Sequence, residues 1–192
     1  MTDRRLTWLL RHGGIGEGFQ FDTEGYTSVK QILHFLQISR DQLEQIVNAD
    51  SKTRFTLLGD RIRANQGHSH SIGTQINHAT FLNFVPHPQT LIVHGTYQNL
   101  LFSIQTHGLS RMSRTMIHMC EIDLGEPTFE GLRRLVENVK SGVRRNCNLY
   151  IIIDHVSAMR DGIKFYRSTN GVILSEGVNG VIPPKYLQFI TR

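Results

Sequence analysis

Arg54-Phe55-Thr56-Leu57-Leu58-Gly59-Asp60-Arg61-Ile62-Arg63-Ala64-Asn65-Gln66-Gly67-His68-Ser69 contains two strand-like runs around a Gly-Asp pair, followed by a polar string. A two-residue Gly-Asp connection is a hairpin turn. The spacing therefore predicts a strand over 54–58 and a return strand from Arg61. Side chains alternate along a strand, so Arg61 and Arg63 share one face and Ile62 takes the other. Asn65 to Ser69 is dense in hydrogen-bonding groups. Arg63 offers a planar fork of donors that suits phosphate. Gln66, His68 and Ser69 add adaptable donors and acceptors, and Gly67 lets the backbone approach a ligand closely.

Upstream of the hairpin the pattern is helical. Leu6, Leu9 and Leu10 fall at i, i+3 and i+4, which predicts an amphipathic first helix. Gly13-Gly14 is expected to end it, placing Arg11 and His12 in its last turn. A helix C-terminus repels anions, so a phosphate bound there must be held by side chains. Asp22-Thr23-Glu24-Gly25-Tyr26 reads as a turn. Thr27 or Ser28 can cap a second helix with the stripe Val29, Ile32, Leu33 and Leu36. Ser39 can cap a third, with Leu43, Ile46 and Val47 inward. Three helices followed by a hairpin is the element order of a winged helix, a common nucleic-acid-binding shape.

Downstream, His68 to His78 is short and polar and reads as a linker. The expected organisation is a first lobe over 1–70, a linker over 71–80 and a second lobe over 81–192. His68, His70 and His78 invite a metal, but no carboxylate or thiolate stands at ligand spacing, so no metal is expected. The second lobe is richer in strands. Leu91 to Val93 leads into His94-Gly95-Thr96, a helix runs from about Asn99 to His107, and Met116 to Met119 is a short strand. Phe129 to Lys140 is helical by pattern. Leu149 to Ile153 suits a central strand buried on both faces. Lys164–Arg167 and Val172–Leu174 are expected to pair across Asn170-Gly171. The fold class is α+β. No GxGxxG or GK[ST] loop is present, so neither a Rossmann nor a P-loop nucleotide site is supported.

The 192 residues suffice for one large or two small cores. A net charge of +5 permits a polyanionic partner without demanding one. Cys120 and Cys147 have no metal-ligand spacing and read as buried thiols in a reducing compartment. The longest apolar run, Leu149 to Ile153, is too short to cross a bilayer, and the N-terminus lacks a signal-peptide apolar region. The expectation is an intracellular protein, cytoplasmic or nuclear, without membrane contact. No exposed apolar stripe is evident, so a monomer is expected.

Four stretches are informative together: Leu9-Leu10-Arg11-His12-Gly13, Ile62 to Ser69, Val93-His94-Gly95-Thr96, and Ser141-Gly142-Val143-Arg144. In this order and spacing the chain resembles the tRNA 2'-phosphotransferase family. Asp22-x-Glu24-Gly25-Tyr26, Arg54-Phe55, Gly108-Leu109, Ser113-Arg114, Ile117-His118, Asp161-Gly162-Ile163-x-Phe165 and Ser168-x-Asn170-Gly171-Val172-Ile173-Leu174 extend the likeness from Leu6 to Tyr186. One departure is Met116, where the family commonly carries histidine. Cys120 to Val139 shows little distinctive match.

The resemblance implies an N-terminal winged-helix lobe and a C-terminal ADP-ribosyltransferase-like lobe that binds NAD as co-substrate. It implies NAD-dependent removal of an internal RNA 2'-phosphate, as at a tRNA splice junction. The reaction passes through an ADP-ribosylated RNA phosphate and yields 2'-OH RNA, nicotinamide and ADP-ribose 1'',2''-cyclic phosphate. The family's essential set maps onto Arg11, His12, Arg63 and Arg144. NAD contacts are implied at His94, Gly95, Thr96, Ser103, Gly108, Leu109, Arg114 and His118. Gln66, His68 and Ser69 are candidate RNA or supporting contacts. Arg145 is a rival to Arg144, although the Gly-Val-Arg register favours the latter.

The chemistry fits those residue types. A phosphate is already an anionic nucleophile, so its attack needs orientation rather than a base, and arginines supply it. The second step needs proton transfer, for which His12 is the natural group, and charge stabilisation by Arg63 and Arg144. The alternatives are a protein ADP-ribosyltransferase with Glu176 beside the acceptor, ADP-ribosyl capping of RNA terminal phosphates, and a non-catalytic RNA-binding module. The first leaves Arg11, His12 and Arg63 without a task, and the last has no need of the full set.

Overall fold

The computed structural model describes residues 2–77, 83–84, 90–122, 127–139, 141–144 and 146–192. They form two compact units. The first comprises the described residues up to Asn77 together with Ser113–Thr115. The second comprises the described residues of Asn83–Met112 and Met116–Arg192. Helices and strands are both present, with helices leading and a large sheet following, so the fold is α+β.

In the first unit α1 (Thr2–Trp8) buries Leu6 and continues as a π-helical turn over Leu9–Gly13. The helix does stop at Gly13-Gly14, with Arg11 and His12 in its last turn, but not through a left-handed residue. Gly14 stays right-handed at φ −55°, ψ −41°, and its N–H donates to the Leu9 carbonyl at 3.0 Å, an i to i+5 bond. The left-handed residue comes later, at Gly18 with φ +82°. The two glycines are needed for space instead. A Cβ on Gly13 would fall 2.1 Å from the Trp8 ring, and one on Gly14 would fall 2.6 Å from the Leu9 carbonyl oxygen.

Thr27–Ser28 forms a short strand, β1. Ser28 holds the N-cap position of α2 (Val29–Leu36), but its side chain makes no capping bond. Val29, Ile32 and Leu36 are buried, and Leu33 packs on the same core from its edge. Ser39 caps α3 (Arg40–Asn48) with a full capping box, its hydroxyl on the Gln42 N–H and the Gln42 side chain on the Ser39 N–H. Ser39→Ala should cost about 1 kcal/mol of stability, read by urea unfolding. An unchanged midpoint would mean that water replaces the cap fully.

β2 (Phe55–Leu58) and β3 (Arg61–Ala64) pair antiparallel, with Leu58 opposite Arg61, so Gly59-Asp60 is the turn. The sheet order is β1-β3-β2. Ile62 enters the core with Leu6, Leu9, Leu10, Ile32 and Leu43. The segment read as a linker instead opens with α4 (His70–Gly73), whose Ile72 is fully buried, and Ile76 follows it inward. Both isoleucines are buried, and the stretch up to Asn77 belongs to the first unit.

The second unit is built on β4 (Asn83–Phe84), β5 (Leu91–Thr96), β7 (Ile117–Ile122), β8 (Leu149–Ile153), β9 (Tyr166–Arg167), β10 (Ile173–Ser175) and β12 (Leu187–Thr191). They form one antiparallel sheet in the order β12-β8-β5-β7-β10-β9-β4. β6 (Leu109–Ser110) and β11 (Val181–Ile182) form a separate pair. β8 is buried along its whole length. Its Leu149, Ile151 and Ile153 join one core with Ile92, Met119 and Phe165. Its Tyr150 and Ile152 face a second core with Val93, Cys120, Leu132 and Val136. Leu132 and Val136 come from α6 (Phe129–Glu137), which Thr128 caps. Arg167 lies opposite Ile173, so the strands flanking Asn170-Gly171 pair as their sequence suggests. α5 (Leu101–His107) and α7 (His155–Arg160) complete the unit. Among the described residues no helix is long and apolar enough to cross a membrane.

Candidate functional site

The π-helical turn carries Arg11 and His12. The polar string is tied to it, because the Arg11 carbonyl accepts from the Ser69 N–H at 2.8 Å and from its hydroxyl at 3.1 Å. Gly67 has φ +89°, and a Cβ there would lie 3.2 Å from Arg11 Cζ. The guanidinium therefore rests on the Gly67 backbone. Its Nε and Nη2 atoms are buried and have no hydrogen-bond partner among the described residues. Burial lowers the Arg11 pKa to about 10, with repulsion from Arg114 and Arg54 adding to it and Asp50 opposing. The group still holds its proton at neutral pH. A buried cation with unmet donors is costly, and an anion is the ligand that would meet them.

Arg54 is committed elsewhere, through Nε to Asp50 at 2.9 Å and Nη2 to Asp3 at 3.2 Å. Arg63 is only 6% exposed. Its Nη1 donates to the Glu24 carbonyl at 3.1 Å, and its Cζ stands 4.7 Å from the Tyr26 ring centroid. Arg61 stacks on the same ring at 4.8 Å and pairs with Asp22 at 3.0 Å. Asp22 Oδ1 in turn accepts from the N–H groups of Glu24 and Tyr26. The Asp22–Tyr26 turn thus fixes the face on which both arginines lie, as strand alternation requires. Gly67 touches Arg11 while His68 Nε2 lies 3.9 Å from the position of a Gly25 Cβ, so Arg11 and the turn holding Arg63 flank one segment. Asn65 braces that segment, accepting from Thr56 at 2.6 Å and donating to the Thr53 carbonyl at 2.7 Å. Gln66 and His68 are buried, and Ser69 spends its hydroxyl on the Arg11 carbonyl and on Ser71.

Arg114, expected among the dinucleotide contacts, belongs to the first unit. It bridges Ser69 and adds its charge to Arg11 and His12. The His12 pKa lies below the usual 6.5 because the ring loses water, and because Arg11 and Arg114 repel a second cation. The folded state thus binds this proton less tightly than the unfolded chain. The associated stability is fully present above the ordinary histidine value and is lost as pH falls through it toward the lower folded pKa. Arg114→Gln should raise the His12 pKa, measured from its imidazole resonance across a pH titration. An unmoved titration would remove Arg114 from this cluster.

In the second unit His94 Nδ1 lies 2.7 Å from the His118 carbonyl. A carbonyl only accepts, so Nδ1 carries a proton; in a neutral ring Nε2 is then the acceptor nitrogen. Gly95 is tight: a Cβ would fall 2.5 Å from Val143 Cγ2 and 2.8 Å from Cys147 Sγ. Its missing side chain seats those two residues rather than being left open. Thr96 is buried, and its carbonyl accepts from the Asn148 N–H at 3.1 Å. Gly142, at φ +95°, would put a Cβ 2.5 Å from the Met119 carbonyl oxygen. Two residues on, the Arg144 guanidinium stacks 5.4 Å from the ring centroid of Tyr97, an exposed residue that sequence reading passed over. Its only signal was an aromatic directly after Thr96.

Other expected contacts fall elsewhere. Ser103 is exposed on α5, Gly108 ends that helix with φ +86°, and Leu109 is 3% exposed in the core. Burial of Cys120 and Cys147 raises both thiol pKa values, that of Cys120 to about 12. His78 and Arg145 lie outside the described residues.

The model of the RNA 2'-phosphotransferase, Tpt1 / KptA family, matches residues 2–177. The chain is 40% identical over 190 residues to a putative tRNA 2'-phosphotransferase of Schizosaccharomyces pombe, covering 95% of this chain and 48% of that protein. It is 37% identical over 199 residues to tRNA 2'-phosphotransferase 1 of Danio rerio, covering 98% and 84%. It is 34% identical over 200 residues to tRNA 2'-phosphotransferase 1 of Homo sapiens, covering 96% and 72%. The chain thus spans about half of the fission-yeast protein and most of the two vertebrate ones. A family match that runs through both units, with relatives alike along nearly the whole chain, makes this protein an enzyme of the RNA 2'-phosphotransferase family.

Proposed function

We propose that the protein removes an internal 2'-phosphate from RNA with NAD as co-substrate, its RNA being a tRNA splice product. The observation that carries this is the Arg11 guanidinium, charged, buried against Gly67 and left with two unmet donors. Such a group calls for an anion of the phosphate class. The helix–strand–helix–helix–hairpin order of the first unit, with β1 on β3, supports a winged-helix reading. The antiparallel second unit supports an ADP-ribosyltransferase-like one.

Arg11 and Arg63 orient the RNA 2'-phosphate, and Arg144 stabilises charge as that phosphate changes partners. His12, its pKa lowered by burial and then by its cationic neighbours, takes the proton of the attacking ribose hydroxyl and returns it to the departing RNA 2'-oxygen. NAD fits the second unit's donor set: the acceptor Nε2 of His94 suits a hydroxyl or amide N–H, with Thr96 and Arg144 alongside. When bound, it supplies the ribose carbon that receives the phosphate and releases nicotinamide.

The test mixes the protein with NAD and a short RNA bearing an internal 2'-phosphate. NAD-dependent loss of that phosphate is expected. Retention of it, or ADP-ribose gained only at an RNA end, overturns the reading. In single turnover His12→Ala should accumulate ADP-ribosylated RNA. A stall before that species would assign His12 to the first step.

A further inference from the structure

We infer that the outward face of α1 is a stacking surface for an unpaired RNA base next to the 2'-phosphate, with Trp8 as its platform. The inference rests on the 2'-phosphate being read at Arg11. Leu6, Leu9 and Leu10 use the inward face of the helix, so Trp8 is not a core residue. It is 45% exposed. Its place follows from the π-helical turn. In a wider turn the residue five positions on lies over its starting point, and Gly13 does so here. The absence of a Cβ on Gly13 lets the six-membered ring of Trp8 settle onto the backbone, with Cζ2 and Cη2 2.1 and 2.2 Å from where that atom would be. One side of the indole is thereby fixed while the residue keeps nearly half its surface in water.

The surroundings favour a nucleic acid over a protein. Arg4 and His12 are four positions to either side of Trp8, both exposed, and positions so spaced are neighbours on a helix surface. Arg11 follows the same turn. An exposed aromatic ring between Arg4 and the phosphate-seeking Arg11 matches a single strand whose bases stack while its phosphates meet the charges. Every base has a π-face, so such a platform tolerates any sequence at a splice junction. Arg5 does not share the task, since it stacks on Phe35 at 5.7 Å.

Trp8 is the only tryptophan in the chain, so indole emission reports on this face alone. The wild-type protein, without NAD, is titrated with an RNA carrying an internal 2'-phosphate and one nucleotide on each side. Saturable quenching is expected, and it should disappear when the stacking neighbour is made abasic on one side. Trp8→Ala should raise KM for the flanked RNA about ten-fold, with Trp8→Tyr restoring it. If RNA binds by anisotropy without altering the emission, or abasic RNA quenches equally, the stacking surface does not exist. Loss of the RNA 2'-phosphate after NAD is added to parallel samples tests the proposed activity separately, so the two readings fail independently. The fluorescence arm needs no variant and survives any folding defect.

Discussion

Arg11→Ala should lower kcat/KM for 2'-phosphate removal by about 10²–10³ while leaving the protein as stable as before or more so. The two effects have one cause. Arg11 holds a charge in a site that disfavours it, as its lowered pKa of about 10 records, and two of its donor atoms meet no partner among the described residues. Removing it deletes an unpaid desolvation cost. Removing it also deletes the preorganised donors that stabilise phosphate charge, a loss typically of that size. Arg11→Met, which keeps the bulk against Gly67, should show the opposition most clearly, with a raised melting temperature and the same kinetic loss. Arg11→Lys should not restore activity, because an ammonium lacks the planar fork. Thermal unfolding beside steady-state kinetics decides the matter. A destabilised Arg11→Met, or activity within ten-fold of wild type, would refute an anion-seeking role.

Gly142→Ala should cost far more activity than the addition of one methyl group suggests. Gly142 sits at φ +95°, which costs an L-residue about 1–3 kcal/mol by itself. The new Cβ would also meet the Met119 carbonyl oxygen at 2.5 Å. That oxygen belongs to β7, which is paired on both sides by β5 and β10 and has little freedom to retreat. The 141–144 segment must move instead, carrying Arg144 away from Tyr97. A loss of activity comparable to Arg144→Ala, with the sheet retained by circular dichroism, is the expected result. Gly171→Ala makes the control: it shares a positive φ of +79° but has nothing within 4 Å of its Cβ, so it should lose strain energy alone. Equal effects at both glycines would show that strain, not the β7 carbonyl, governs this segment.

Where the sequence read correctly, the cause was local. The Gly59-Asp60 turn and the Ser39 capping box are set by chemistry within four residues, and the structure contains both. The Leu149–Ile153 run advertises burial on both faces and has it. Gly13-Gly14 marked the stop but not its geometry, because glycine signals two different needs. A left-handed stop and a close approach look alike in sequence, and here the Trp8 and Phe21 rings required the second. The resemblance implies Arg114 as a dinucleotide contact; its bridge to Ser69, and with it its repulsion of Arg11, spans more than forty residues and is encoded by no periodicity. Tyr97 acquires meaning only once Arg144 is seen stacked on it. Arg11 and Arg63 were legible as phosphate-binding types, but the unmet donors on Arg11 depend on tertiary burial.

The inclusion of Ser113–Thr115 in the first unit bears on biosynthesis. His68 accepts from the Thr115 N–H at 3.2 Å, and the His70 N–H reaches the Ser113 carbonyl at 3.3 Å. A nascent chain that has emerged only as far as Asn77 therefore lacks the last piece of its first unit. It must wait until the ribosome has released nearly forty more residues, the leading strand of the other unit among them. A fragment cut after Asn77 would expose the His68 and His70 backbone groups and the Gly73 surface that Thr115 covers. The natural cleavage point for dissecting this protein is thus absent from its sequence: the two halves are interleaved in synthesis, and neither is a separable cassette.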